Sequence, residues 1–305
     1  MIRLRSIELV VPAADDAAAF LTDIWGLLPA GNRDGTHYLR GSGSAPYLVA
    51  LAPGDAPSVR STTFICTRDD LAALGERVAA SGLSAVPVTS SDPGDGHGLI
   101  VELPEGELLR FLADTSDVAP LTGRDMPVQL THVVFNAADA EASADATERV
   151  LGFRVSDRAR GMVFVRCNDS HHSTAFARAG FASLNHIAFE MDGVDAVMRG
   201  IGRMRDHGIA PAWGPGRHGP GANVFAYYIA PFGAVVEYST AVEKVDDDYR
   251  TGAPEDWTWP AGRIDQWGMS DKDLDALGVA ERIFRFKRDW APAAPEAILD
   301  RTANR

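Results

Sequence analysis

The sequence predicts an α+β protein of four βαβββ modules paired into two similar halves, with mixed, curved sheets. Three observations carry this prediction. A β-branched apolar strand, an Ala- and Leu-rich helical stretch and then shorter strands recur four times along the chain. The closing segment Gly106-Glu107-Leu108-Leu109-Arg110-Phe111 is echoed by Gly233-Ala234-Val235-Val236-Glu237-Tyr238. With 305 residues, 46% hydrophobic and 23% charged, there is enough ordinary globular chain for about two packed domains.

The first module opens with Ser6-Ile7-Glu8-Leu9-Val10-Val11, continues through a helix over Ala13 to Trp25, and has strands near His37 to Arg40 and Tyr47 to Ala52. The second opens at Thr62 to Cys66, with Asp69 and Asp70 as caps for a helix over Leu71 to Ser81 and strands at Gly98 to Leu103 and Leu108 to Leu112. The third runs from Leu130 to Phe135 into a helix over Ala138 to Val150, stopped at Gly152, then strands at Met162 to Asn168 and Ser173 to Arg178. The fourth begins at Leu184 to Glu190, with a helix over Val194 to Asp206 and strands at Asn223 to Ile229 and Ala234 to Ser239. The Asp-, Pro- and Gly-rich stretch Thr115 to Pro127 reads as the linker. This divides the chain into an N-terminal domain (1–118), a C-terminal domain (127–242) and a Trp-bearing C-terminal arm or lid (243–305).

The 29 basic and 42 acidic residues give a net charge of −13, which argues against nucleic acid or an anionic membrane as partner and for a small molecule. No apolar run is long enough to span a membrane, and two cysteines, Cys66 and Cys167, make no disulfide framework. The expectation is a cytoplasmic protein with idle thiols.

Three polar side chains interrupt apolar strands in the second half: His132, His186 and Glu237. A buried carboxylate needs a partner, and two imidazoles plus one carboxylate on a divalent metal supply one while leaving coordination positions open, a pattern suited to iron(II) and oxygen chemistry. The first half serves as an internal control. Glu8 stands for His132, about Thr62 for His186, and Arg110 for Glu237, a set that cannot cage a metal because arginine offers no acceptor. One metal site per chain is expected, in the second half.

With Gly214-Pro215-Gly216-Arg217-His218-Gly219, Tyr227, Pro231-Phe232-Gly233 and Val236-Glu237-Tyr238, the chain resembles the type I extradiol ring-cleaving dioxygenases of the vicinal oxygen chelate superfamily, in their homoprotocatechuate- and catechol-cleaving branch. The resemblance is clear from Leu130 to Tyr238 and weaker in the first half. It implies two vicinal oxygen chelate domains with a metal-binding barrel in the C-terminal half, and His132, His186 and Glu237 as ligands of Fe(II), a set that also accepts Mn(II). It further implies a small aromatic diol and O2 as substrates, insertion of both oxygen atoms, and a homo-oligomer.

By the same resemblance His172 is the acid–base residue, Tyr227 the phenol that hydrogen bonds the bound diol, and His218 a supporting histidine. Strand alternation sends the neighbouring His171 to the opposite face, toward solvent or an interface. Trp213, Phe189 and Phe225 are candidate pocket walls, and Arg263 a lid contact for an acidic substrate, although isoleucine stands beside it where the branch has a second arginine. Two other readings remain: a glyoxalase, epimerase or thiol transferase on the same modules, and an inactive binder of small aromatics.

Overall fold

A computed structural model of the chain describes residues 1–123 and 125–286, so the end of the anticipated arm, 287–305, lies outside the described residues. The first half contains β1 (Arg3–Val11), α1 (Ala14–Ala19), β2 (Leu28–Arg33), β3 (Thr36–Arg40), β4 (Val49–Pro53), β5 (Ser58–Ile65), α2 (Arg68–Ser81), β6 (Ala85–Thr89), β7 (His97–Glu102) and β8 (Leu108–Ala113). The second repeats the series as β9 (Gln129–Ala137), α3 (Ala140–Ala146), β10 (Arg154–Ala159), β11 (Met162–Arg166), β12 (Thr174–Arg178), β13 (Ser183–Glu190), α4 (Val194–Asp206), β14 (Trp213–Arg217), β15 (Val224–Ile229) and β16 (Val235–Thr240). Each quarter is a βαβββ module. α5 (Leu274–Ala280) and β17 (Arg285–Phe286) follow, and β17 pairs with β5 of the first half.

The sheet orders are β2-β3-β4-β1-β5-β8-β7-β6 and β10-β11-β12-β9-β13-β16-β15-β14. Opening strands such as Ile7 to Val11 and Val133 to Ala137 are apolar on nearly every residue because they lie at the sheet centres, covered on both faces. They pair antiparallel across modules and parallel to the last strand of their own module. The outermost strand of every module (β2, β6, β10 or β14) lies at a sheet end.

The expected barrel is instead an open, curved sheet. Its ends, β10 and β14, do not pair with each other. β14 reads Trp-Gly-Pro-Gly-Arg, and Pro215 has no N–H to give to a further strand. The gap is bridged by the chain after β16: Arg158 N–H donates to Gly252 O at 2.8 Å on one edge, while Gln266 and Asp273 N–H groups donate to Arg217 and Ala212 carbonyls, both at 2.8 Å, on the other.

Three helix boundaries differ from the sequence reading: α1 ends at Ala19, where a π-type turn over Phe20–Trp25 takes over. Thr67, not Asp69 or Asp70, caps α2, and Asp70 completes a capping box by accepting from the Thr67 N–H. α3 spans only Ala140–Ala146 before widening into a π-type turn over Thr147–Leu151 that ends at left-handed Gly152.

The helix-covered faces of both sheets merge into one apolar core. Trp25 of the first half stacks on Tyr238 of the second at 3.7 Å, and the Arg203 guanidinium donates to the Trp25 carbonyl (2.7 Å) and the Tyr238 hydroxyl (2.9 Å). The opposite, concave faces carry smaller apolar clusters interleaved with buried polar groups. Among the described residues no helix is long and apolar enough to cross a membrane.

Candidate metal centre

β9, β13 and β16 are neighbours in the second sheet, and pleating turns one side chain from each toward the concave face: His132, His186 and Glu237. All three are buried, and their ligand atoms lie within 4.8 Å of one another. Glu237 Oε2 is 3.2 Å from the Nε2 of both histidines. His186 Nδ1 donates to Asn185 Oδ1 at 2.7 Å, and His132 Nδ1 lies 2.6 Å from Thr131 Oγ1. Two imidazole nitrogens and a carboxylate oxygen thus converge in a buried space, with each Nδ1 engaged elsewhere, a donor set that a divalent cation between them would satisfy. Consistently, His186 Nε2 is buried without a hydrogen-bond partner.

This donor set fits a divalent metal. Burial alone would raise the Glu237 carboxyl, but the adjoining His132 and His186 hold it well below the ordinary carboxylate range, so it is ionised and ready to ligate. Asn223 Nδ2 donates to Glu237 Oε1 at 3.2 Å, which leaves Oε2 aimed at the histidines.

A cavity of about 450 Å³ opens above the triad, and His172, Tyr227, His218 and Trp213 line it. The His172 ring lies 4.3 Å from that of His132, and burial followed by the neighbouring His132 and His171 rings pushes it well below the usual histidine value. Tyr227 sits directly across the strand pair from Glu237 and is driven well above the ordinary phenol value by burial and that carboxylate. Its hydroxyl lies 3.0 Å from His218 Nε2, and burial lowers His218 to about 3. Glycine is required in β14, because a Cβ on Gly216 would lie 2.3 Å from the Phe225 ring on which His218 stacks.

Phe189 and Arg263 do not join this group. Phe189 is three positions from His186 and therefore faces the core, edge-on to Trp25 at 5.6 Å. Phe225 packs behind Trp213 and His218 without lining the cavity. Arg263 is exposed and donates to the Trp267 carbonyl at 3.2 Å, while its neighbour Ile264 lines the cavity. Arg160, Arg178 and Lys272 are the cations that line the cavity; Lys272 Nζ stands 4.6 Å from the centre of the Trp213 ring and interacts electrostatically with Glu281. Trp259, Lys272, Leu277 and Glu281 line the cavity from the chain beyond β16. No spacing signal marks Lys272; only its place in the fold does.

His171 is not a solvent histidine. Residues 170–173 lie between β11 and β12 rather than within a strand, so alternation does not apply, and the His171 ring is 0% exposed. Burial holds both cysteine thiols at about 11, so they stay protonated near neutrality.

The first half carries a different solution. Strand pairing matches Arg110 to Glu237, since each follows the closing-strand glycine by four positions, but it puts Ser61 where His186 lies and Ser6 where His132 lies. The sequence match to Thr62 and Glu8 was displaced by one and two residues. The Arg110 guanidinium itself fills the centre, donating to Asp92 (2.6 Å), Tyr47 (2.7 Å) and Thr63 (2.8 Å), with Glu8 at 3.9 Å.

Comparison with known proteins agrees with this geometry. The profile of the Glyoxalase/Bleomycin resistance protein/Dioxygenase superfamily matches residues 129–238, the span that carries all three candidate ligands. The Mn(II)-bound glyoxalase from Novosphingobium aromaticivorans is 31% identical and superposes with a TM-score of 0.82 over 90% of this chain and 93% of that one. The chain belongs to the Glyoxalase/Bleomycin resistance protein/Dioxygenase superfamily. Further superfamily relatives are metapyrocatechase 2 of Cupriavidus necator, 27% identical over 70% of this chain and 73% of its own length, and biphenyl-2,3-diol 1,2-dioxygenase of Metapseudomonas furukawaii, 25% identical over 83% and 93%.

Proposed function

We propose that this chain is an extradiol-type dioxygenase that opens a catechol ring with O2 at a mononuclear Fe(II) held by His132, His186 and Glu237, with Mn(II) as the other ion this donor set accepts. The observation that carries the reading is the placement of His172 and Tyr227 at one cavity with a complete two-histidine, one-carboxylate triad. When bound, the metal supplies Lewis acidity and one-electron redox chemistry toward dioxygen. The protein supplies the rest. His172, buried and neutral near pH 7, accepts a proton from the incoming diol and returns it as the ring opens. Tyr227, kept protonated, donates a hydrogen bond to the substrate oxygen, and His218 holds that hydroxyl in place. Trp213 stands along the ring-binding wall.

Lys272 and the Trp213 and Trp259 Nε1 groups, both indoles buried without acceptors, favour a diol whose ring also bears an acceptor or anionic substituent. The names of the relatives, metapyrocatechase and biphenyl-2,3-diol dioxygenase, agree with a small aromatic diol and O2 as substrates. A soluble, cytoplasmic homo-oligomer belongs to the same reading and is checked by fractionation and sedimentation.

A glyoxalase-type reaction is the second reading, favoured by the 31% identity to the Mn(II)-bound glyoxalase. Anaerobic loading with Fe(II), then an oxygen electrode and absorbance with plain, 3-substituted, 4-substituted and carboxylated catechols, separates the two. Oxygen uptake with a new yellow chromophore supports ring cleavage. A protein that binds one metal, consumes no oxygen with any diol and converts a hemithioacetal supports the second reading.

A further inference from the structure

We infer that Asp157 and His171 are positioning residues that hold His172 in a single tautomer, with the proton on Nδ1 and a bare Nε2. The inference rests on the acid–base reading of His172. His171 Nε2 lies 2.6 Å from Asp157 Oδ2, and His171 Nδ1 lies 3.0 Å from His172 Nδ1. Asp157, His171 and His172 have exposures of 0%, 0% and 2%, so water does not compete for these bonds.

Directionality follows from the end of the chain of bonds. Both Asp157 oxygens act as acceptors: Oδ1 takes the Gly252 N–H at 2.7 Å, and Oδ2 takes the Tyr249 hydroxyl at 3.1 Å as well as His171. An ionised carboxylate only accepts, so His171 Nε2 carries the proton. With that single proton on His171, its Nδ1 offers a lone pair, and His172 Nδ1 supplies the proton between the rings. That leaves His172 Nε2 unprotonated and free of any protein hydrogen bond among the described residues.

The backbone is shaped around this arrangement. A Cβ on Gly221, which has φ +71°, would fall 2.9 Å from His171 Nδ1 and 3.0 Å from His172 Cε1, and one on Gly252 would fall 2.6 Å from Asp157 Oδ1. The segment after β16 clamps the ends: His171 N–H donates to the Glu243 carbonyl at 2.9 Å, and Tyr249 and Gly252 grip the carboxylate. This stretch thus organises the acid–base residue as well as bridging the sheet ends.

The test is nitrogen-15 NMR of histidine-labelled full-length protein loaded with Zn(II), alongside steady-state kinetics of the Fe(II)-loaded protein. The expected spectrum shows a protonated-type shift at His172 Nδ1 and an unprotonated-type shift at Nε2. The reverse pattern in the wild-type protein overturns the inference, and this needs no variant. Asp157→Asn places a donor at the end of the chain and is expected to reverse or mix the His172 tautomer. It should lower kcat roughly 10- to 100-fold, less than the ~10²–10⁴-fold that an acid–base group supplies, with metal content and KM for the diol unchanged. Tyr249→Phe, which removes only one donor to Asp157, gives a smaller change in the same direction and serves if Asp157→Asn does not fold. His172→Phe distinguishes the two levels of the argument. If His172→Phe leaves turnover intact, the acid–base reading fails; if it slows turnover while Asp157→Asn changes neither spectrum nor kcat, that reading stands and the positioning role fails.

Discussion

Asn185→Ala tests the candidate metal centre without touching a ligand. Asn185 Oδ1 accepts the His186 Nδ1 proton at 2.7 Å and is itself held by its own Nδ2, which donates to Asn136 Oδ1 at 2.8 Å. Without this acceptor, His186 is free to rotate or to move its proton to Nε2, which removes the lone pair that faces Glu237. A hydrogen bond to a group that becomes partly charged on ligation is worth about 1.5–3 kcal/mol. At 1.4 kcal/mol per factor of ten this becomes a loss of roughly 10- to 100-fold in metal affinity, the range usual for partners that orient metal-binding histidines. The assay is anaerobic competition against a chelator of known affinity, with Fe(II) and with Mn(II). Asn185→Asp, which keeps an acceptor in place, should bind within a few-fold of the wild type. Equal affinities for the wild type and Asn185→Ala would refute the argument, because His186 would then be oriented by something other than Asn185.

Four further outcomes follow from the same geometry. Glu237→Gln removes the ionised ligand and should lose metal and activity together, read by metal analysis and oxygen uptake. Arg110→Met leaves Glu8 and Asp92 without their shared cation and should cost about 3–5 kcal/mol in denaturant unfolding, while metal content stays at the wild-type value. Asp92 bears on acid stability: burial would raise its carboxyl, but Arg110 and its hydrogen bonds to Tyr38 and Ser90 hold it below the ordinary value, so its contribution is complete above about pH 4 and fades as pH falls through the lowered value. Asp92→Asn should therefore flatten the acid limb of a stability–pH profile, and an unchanged slope would count against the ion pair. Lys272→Ala should reduce kcat/KM roughly 10- to 100-fold for a carboxylated catechol and much less for plain catechol, and equal losses would remove Lys272 from substrate selection.

Most of the fold was legible because central strands and helices announce themselves by period. What the pattern missed was one strand in each module: β2, β6, β10 and β14. These are the sheet ends, where neighbours impose little. Pro29 and Gly31, Pro87, and the Gly214-Pro215-Gly216 run are tolerated there and erase the strand signature. The candidate ligands were legible for the opposite reason: a histidine or glutamate amid a buried apolar strand violates the pattern and asks for an explanation. His171 and Asp157 escaped because neither strand parity nor spacing applies to a pair brought together by a turn and a strand edge. Phe189 misled because aromatic character alone does not say which face of a strand it occupies.

Arg110 gives the two halves different exposure to their surroundings. Its positive charge is attached by carbon–carbon bonds and is renewed with every copy of the chain, whereas the proposed charge among His132, His186 and Glu237 has to be acquired and can be taken away. Under the proposed reading, starvation for metal or exposure to a chelator would disarm only the second half and leave the first fully furnished. Trp25 and Tyr238 join the two across a common interior built of side chains alone, so the packing that unites the halves draws on no ion.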